Sequence, residues 1–201
     1  MTFRIIAAAA GAGALALSLT AVAQDAPQHI RGKLTEVSAD HVVVKTRTGL
    51  MMTIVTPPKL SVSKMKKVDM TAIVPGSFIG TTTVELPDGT GRSLEVHVFP
   101  PGVKMGAGHY PWDLKPNSMM TNGDVGKVVN GAKGRTIEVS YPGGSHTVLV
   151  PPKAIVVETV PADLAALKRG ASVFFIAAKR PDGSLLGLGA LVGEKGAPPP
   201  M

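Results

Sequence analysis

An internal repeat constrains this chain more than any other feature. Shifting the sequence by ninety-four residues superposes Gly32-Lys33 on Gly126-Lys127, Gly49 on Gly143, Thr53 on Thr147, and Pro57-Pro58-Lys59 on Pro151-Pro152-Lys153. Without a gap, the same shift sets Asp69 on Asp163, Gly76 on Gly170, and Pro87-Asp88-Gly89 on Pro181-Asp182-Gly183. A constant offset over so many turn residues indicates duplication. Two copies at this spacing are too few and too long for a solenoid, so the repeat predicts a duplicated domain of about seventy residues.

The paired segments predict one plan for both copies. First strands are expected over 30–37 and 125–130, second strands over 41–46 and 135–140, and third strands over 50–56 and 145–150. β-branched alternation supports the strands, and turns at Thr48-Gly49 and Pro142-Gly143-Gly144 join the last two. The Pro-Pro-Lys step ends each third strand because Pro cannot donate to a ladder. A short irregular strand is expected at 60–63 and 154–157. Then comes a helical signal in which Thr159 caps, Pro161 enters the first turn, and Gly170 follows Leu164 and Leu167. In the first copy, Pro75 limits the equivalent to a single turn. Closing hairpins, 78–86 with 93–99 and 172–180 with 185–192, turn at Asp88-Gly89 and Asp182-Gly183.

Three strands, a short helix and a two-strand hairpin is the element order of the OB-fold. The fold class expected is therefore all-β: two tandem OB-like β-barrels, each of five strands plus a short helix. An SH3-like or other small barrel fits the same element sizes. The Gly-led first strand (Gly32-Lys33-Leu34, Gly126-Lys127-Val128), the Leu167 to Gly170 turn and the closing Asp-Gly hairpin resemble the OB-like repeat domains of exported bacterial proteins. That resemblance covers both copies, implies a periplasmic setting, and brings no activity with it.

The N-terminus agrees with export. Arg4 precedes an apolar run over 5–19, and Ala21-Val22-Ala23 offers a signal-peptidase site with cleavage after Ala23. The run is shorter than the ~20 residues of a membrane-spanning helix, and no later segment is long and apolar enough to span. The chain has no Cys, which excludes lipid attachment at the cleavage point. Loss of the leader removes Arg4 and no acid, so the formal charge falls from +7 to +6. A charge of that size favours solubility without naming a partner. The expected organisation is a signal peptide at 1–23, a first unit at 24–99, a connector at 100–124, a second unit at 125–193 and a mobile tail at 194–201.

The catalytic inventory is short. Without Cys there is no thiol nucleophile or thiolate zinc site, and no G-x-S-x-G, H-E-x-x-H or phosphate-loop motif is present. Asp88 and Asp182 read as turn residues, and Lys64-Met65-Lys66-Lys67 as a solvated edge. His29, His41, His97 and His146 read as polar strand positions or chain ends. An enzyme is therefore not expected.

The connector is richer. It holds the only Trp, Trp112, and gathers Met105, His109, Tyr110, Asp113, Met119 and Met120 nearby. Thioether and imidazole without thiolate suit copper, so Met105, His109, Met119 and Met120 are candidate metal ligands. His109, Tyr110, Trp112 and Asp113 are candidates for a small organic ligand. Packing is the competing role: Trp112, Leu114 and Met119 can dock on both units and seal their seam. Haem chaperones of the OB class share compartment and barrel type but place a haem-attaching His four residues before a Tyr, near the C-terminus. Here Tyr110 follows His109 at once, so that comparison fails. Few aromatics lie outside the connector, so nucleic acid is not expected either. The leading expectation is a non-catalytic periplasmic binding or accessory protein acting on an exported protein or small ligand; the alternative is a periplasmic copper-handling protein.

Overall fold

The computed structural model describes residues 26–194, so the expected leader, its cleavage point and residues 195–201 of the expected tail lie outside the described chain. The first copy forms β1 (Gln28–Val37), β2 (His41–Thr46), β3 (Met51–Val55), β4 (Ser61–Lys67), β5 (Phe78–Glu85) and β6 (Gly91–Val98). The connector contributes β7 (Gly108–Trp112) and the start of β8 (Ser118–Gly131). Then follow β9 (Gly134–Tyr141), β10 (Gly144–Val150), β11 (Ile155–Ala162), β12 (Ser172–Lys179) and β13 (Leu185–Gly193). Alternation sets the inward faces: Val42 and Val44 of β2, like Ile137 and Val139 of β9, are buried on every second residue. Asp88 and Asp182 do sit in hairpin turns, accepting hydrogen bonds from the backbone N–H of Thr90 and Ser184 at 2.9 Å.

The expectation of two tandem OB-like barrels is overturned. All thirteen strands belong to one sheet, in the order β10-β9-β8-β5-β6-β11-β4-β13-β12-β1-β2-β3, with β7 added on β8. The physical reason is an exchange of hairpins. The β5–β6 hairpin of the first copy pairs through β5 with β8, placing Ile79 beside Gly123. The β12–β13 hairpin of the second copy pairs with β1, placing Val173 beside Gly32. Short parallel contacts, Leu185 with Ile54 and Val148 with Gly91, bring the outer strands β3 and β10 back against the exchanged hairpins. Neither copy completes a sheet from its own strands.

The middle of the sheet shows how the duplication is expressed. β4 and β11, expected only as short irregular strands, run antiparallel to each other with Met65 opposite Thr159. Those two residues are equivalents at the ninety-four-residue shift, so a pseudo-twofold axis passes through their pair. Parallel ladders flank it symmetrically: Val62 beside Ala190, and Val96 beside Val156. Because β4 alternates, Met65 of the Lys-rich run is fully buried while its Lys neighbours face out. The expected helix is likewise displaced. Pro161 lies in β11 opposite Ser63, and only a 3₁₀ turn, Leu164–Ala166, follows. Asp163, not Thr159, caps that turn by accepting from Ala165 N at 3.0 Å, as Asp69 accepts from Thr71 N at 2.8 Å in the turn at Met70–Ala72.

Two cores result, and each mixes the copies. One joins Leu34, Val44 and Ile54 to Val173, Phe175 and Val192; the other joins Ile79, Val96 and Val98 to Val125, Ile137 and Val148. Each such buried side chain contributes about 1.5–3 kcal/mol, so both cores depend on the exchange. The exchange also realigns the first strands. A Cβ on Gly32 would lie 2.1 Å from Lys45 O, and one on Gly123 would lie 2.2 Å from Ser140 O. At Gly126, the sequence match to Gly32, the nearest atom is a comfortable 3.6 Å away. Gly123 is therefore the structural counterpart of Gly32.

Candidate metal centre

Three side chains with metal-ligating atoms converge where β5 ends, β7 crosses and β10 begins. Glu85, His109 and His146 each offer one such atom, and the three atoms lie within 4.8 Å of one another. His146 Nε2 is 3.0 Å from Glu85 Oε1. The two imidazole centroids are 4.5 Å apart and the rings are tilted by 37°. The cluster is half-buried: Glu85 reaches solvent, while both His residues are partly covered.

Local folding explains each position. The β5–β6 hairpin sets Gly91 opposite Glu85, and the parallel contact of β6 with β10 sets Gly91 beside Val148. A Cβ at Gly91 would stand 2.7 Å from His146 Nε2 and 3.0 Å from Thr83 Cβ, so glycine leaves the room that the imidazole fills. β7 pairs with β8 in a register that sets His109 opposite Thr121, and His109 Nδ1 bonds the Thr121 hydroxyl at 2.8 Å. That bond orients the ring, and in the tautomer where Nδ1–H donates to the hydroxyl, Nε2 is the nitrogen available to a ligand. Tyr141 of β9 stacks on the same ring at 6.2 Å and 14°.

The electrostatics favour the metal-binding form of His109. Burial pushes its pKa below the ordinary 6.5, and the neighbouring His146 pushes the same way, with Glu85 opposing. A neutral imidazole is the form that donates a lone pair to a metal. Two imidazole nitrogens and one carboxylate make a set that accepts several divalent first-row ions and keeps positions open for water or a further ligand. Nothing in that set selects copper.

The other candidates are placed elsewhere. Asp113 forms a two-pronged ion pair with Arg31 at 2.7 and 3.0 Å and contacts His29 Nδ1 at 3.1 Å. Burial raises the Asp113 pKa, but the hydrogen bonds and charge of Arg31, aided by His29, outweigh it and hold the carboxyl below its usual value. Trp112 lies against His29, with ring centroids 4.3 Å apart. Tyr110 Oη accepts from the Asn122 amide at 2.9 Å, and burial pushes its phenol up. Met120 is buried and Met105 exposed, and both line a separate cavity together with Tyr110 and Trp112. Met119 faces Thr83 on one side and Pro111 on the other. The nitrogen and oxygen ligands gathered around His109 thus come from a hairpin end and a distant strand, not from the connector.

Glu85 and His146 went unrecognised in the sequence because no local spacing joins them to His109. A signal did exist: at the ninety-four-residue shift their equivalents are Lys179 and Met52, so both positions break the repeat. Comparison with protein-family models, curated proteins and solved structures finds no match to this chain.

Proposed function

We propose that this is a periplasmic metal-handling protein that holds a divalent first-row ion between Glu85, His109 and His146 and catalyses no reaction of its own. The carrying observation is the approach of three ligand atoms to within 4.8 Å of one another. The ring orientation of His109, held by its contact with the Thr121 hydroxyl, and the space left by Gly91 support it. Among ions of this class Cu²⁺ is expected to bind most tightly, since it heads the affinity order for nitrogen and oxygen donors. Export would place the protein where such ions arrive from outside the cell.

Calorimetric titration of Cu²⁺ and Zn²⁺ into the metal-free protein at pH 7 tests this reading. One ion per chain is expected, with affinity falling at least about tenfold in each of His109→Ala and His146→Ala. Met119→Leu combined with Met120→Leu should leave binding unchanged. Loss of binding in the Met variant with retention in His146→Ala would transfer the site to the thioethers, and no binding tighter than micromolar in the parent would remove the proposal.

A further inference from the structure

Tyr110 and Trp112 do not reach the Glu–His–His cluster. They help line a cavity of about 310 Å³ at the seam between the copies, where the connector crosses the central strands. The wall is mostly apolar, with Phe99, Trp112, Met120, Phe174 and Ile176 among its members. Met105 and Leu188, two more lining residues, are exposed and give the cavity an apolar rim. Its volume falls at the low end of the range for small-molecule sites, about 300–1,000 Å³.

Three lining residues carry buried polar atoms with no hydrogen-bond partner, His97 Nε2, Thr159 Oγ1 and Trp112 Nε1, and of these only His97 Nε2 has an ionisable group against it, the Glu95 carboxylate. Thr159 is only 6% exposed. Buried polar atoms normally find partners, and an orphan is destabilising until something completes it. The indole N–H can only donate, and the threonine hydroxyl can donate as well. Two polar side chains of the wall besides Trp112 and Thr159 have contacts of their own. His97 is paired with Glu95, and the Asn122 amide donates to Tyr110 and to Gly106 O. Glu95, buried behind His97, also disfavours an anionic guest. What the wall lacks is a neutral acceptor.

We propose that this cavity binds a neutral, ring-containing small molecule whose carbonyl-type acceptor meets Trp112 Nε1 and Thr159 Oγ1. The site is independent of the metal centre, since none of Glu85, His109 and His146 lines it.

Trp112 is the only tryptophan, so its emission reports on the site alone. The probe is 6-propionyl-2-dimethylaminonaphthalene, a neutral naphthyl ketone, added to metal-free protein. Saturable one-to-one quenching of Trp112, with blue-shifted probe emission, is expected. Thr159→Val removes the hydroxyl at nearly constant shape, so it should weaken the ketone about fivefold. The same variant should leave 2-propylnaphthalene, which has no acceptor, bound as tightly as before. Thermal unfolding of Thr159→Val checks that the fold survives, and a melting temperature equal to or above the parent's fits the loss of an orphan hydroxyl. Absence of saturable quenching would overturn the proposal, and so would a ketone affinity unchanged in folded Thr159→Val. Added Zn²⁺ should leave ketone binding unaltered, which separates this result from the fate of the metal centre.

Discussion

The two copies share a scaffold and differ in what they place on it. Where they agree, the residues are turns and core: the Asp-Gly hairpins, the capping Asp69 and Asp163, and inward pairs such as Ile54 with Val148. Where they differ at the metal centre, the carboxylate and imidazole ligands meet in one half of the sheet only. Glu85 faces Lys179 across the repeat, His146 faces Met52, and Gly91 faces Leu185. The mirror of the metal centre would thus hold a cation, a thioether and a branched side chain in place of the space for an imidazole. His109 has no mirror, because the connector exists once. A site of this kind needs the symmetric sheet for its geometry and broken symmetry for its ligands.

The strongest test of that contrast lies deeper in the sheet. Glu95 and His97 are each about 1% exposed and paired, and Glu95 Oε1 also accepts from the Thr82 hydroxyl at 2.7 Å. Their repeat equivalents are Gly189 and Leu191, which are uncharged. His97→Leu, copying the other half, leaves a carboxylate buried without its partner and is expected to cost about 3–5 kcal/mol. Adding Glu95→Met should recover more than half of that loss, since an apolar pair has no charge to desolvate. Urea unfolding midpoints measure both effects. A single-variant loss below about 1 kcal/mol would mean that the two halves are energetically alike here despite their chemistry.

A smaller effect distinguishes sequence equivalence from structural equivalence. Gly123→Ala drives a Cβ into Ser140 O, as Gly32→Ala would into Lys45 O, and each should cost on the order of 3 kcal/mol. Gly126→Ala, the change that the sequence match singles out, meets only atoms at 3.6 Å or beyond and should shift stability by less than about 1 kcal/mol. Equal losses at Gly123 and Gly126 would restore the sequence alignment.

The glycine shift shows where sequence reasoning runs out. Strand and hairpin positions were legible because they depend on local chemistry: alternation in β2 and β9, the Asp-Gly turns, and Pro-Pro-Lys after β3 and β10. Strand partners were not. Duplication gives β1 and β8 similar inward faces, so nothing local tells the β5–β6 hairpin whether to close on its own first strand or on the other copy's. The structure takes the second course, and the expectation of two separate barrels fails for that reason. The site divides along the same line. His109 stood out through the company it kept, whereas Glu85 and His146 reach it only through the long-range registers of β5–β6 and β6–β10. Their departure from the repeat was visible, but departure alone does not say which residues meet.

The connector offers the mildest contrast, between its two anchorages. On the side of the first copy it is tied by charge, through Asp113 to Arg31 and His29. At its β8 end it is tied by neutral hydrogen bonds, through Asn122 to Tyr110 and Gly106, and by the exposed ion pair of Lys104 with Asp124. Arg31 and Asn122 hold matching places, each next to its close-packed glycine, Gly32 or Gly123. In the first anchorage acid acts on Asp113, which is more covered than the Lys104–Asp124 pair is on its lysine side. Asp113 titrates below its ordinary value of 3.8 when folded, so it binds its proton less readily there than in the unfolded chain. Its contribution to stability is therefore complete above the unfolded value and is lost as pH falls through the lower folded one. Asp113 is half-exposed, so the contribution is screened and should stay below about 1 kcal/mol. Asp113→Asn should lower the melting temperature by a few degrees at most at pH 7, and the gap from the parent should close toward pH 2 and narrow in high salt. Trp112 emission, beside His29, provides a local readout of the same transition. A gap that persists unchanged at pH 2 would mean that Asp113 holds the connector by shape and neutral hydrogen bonding, as Asn122 does at the other end.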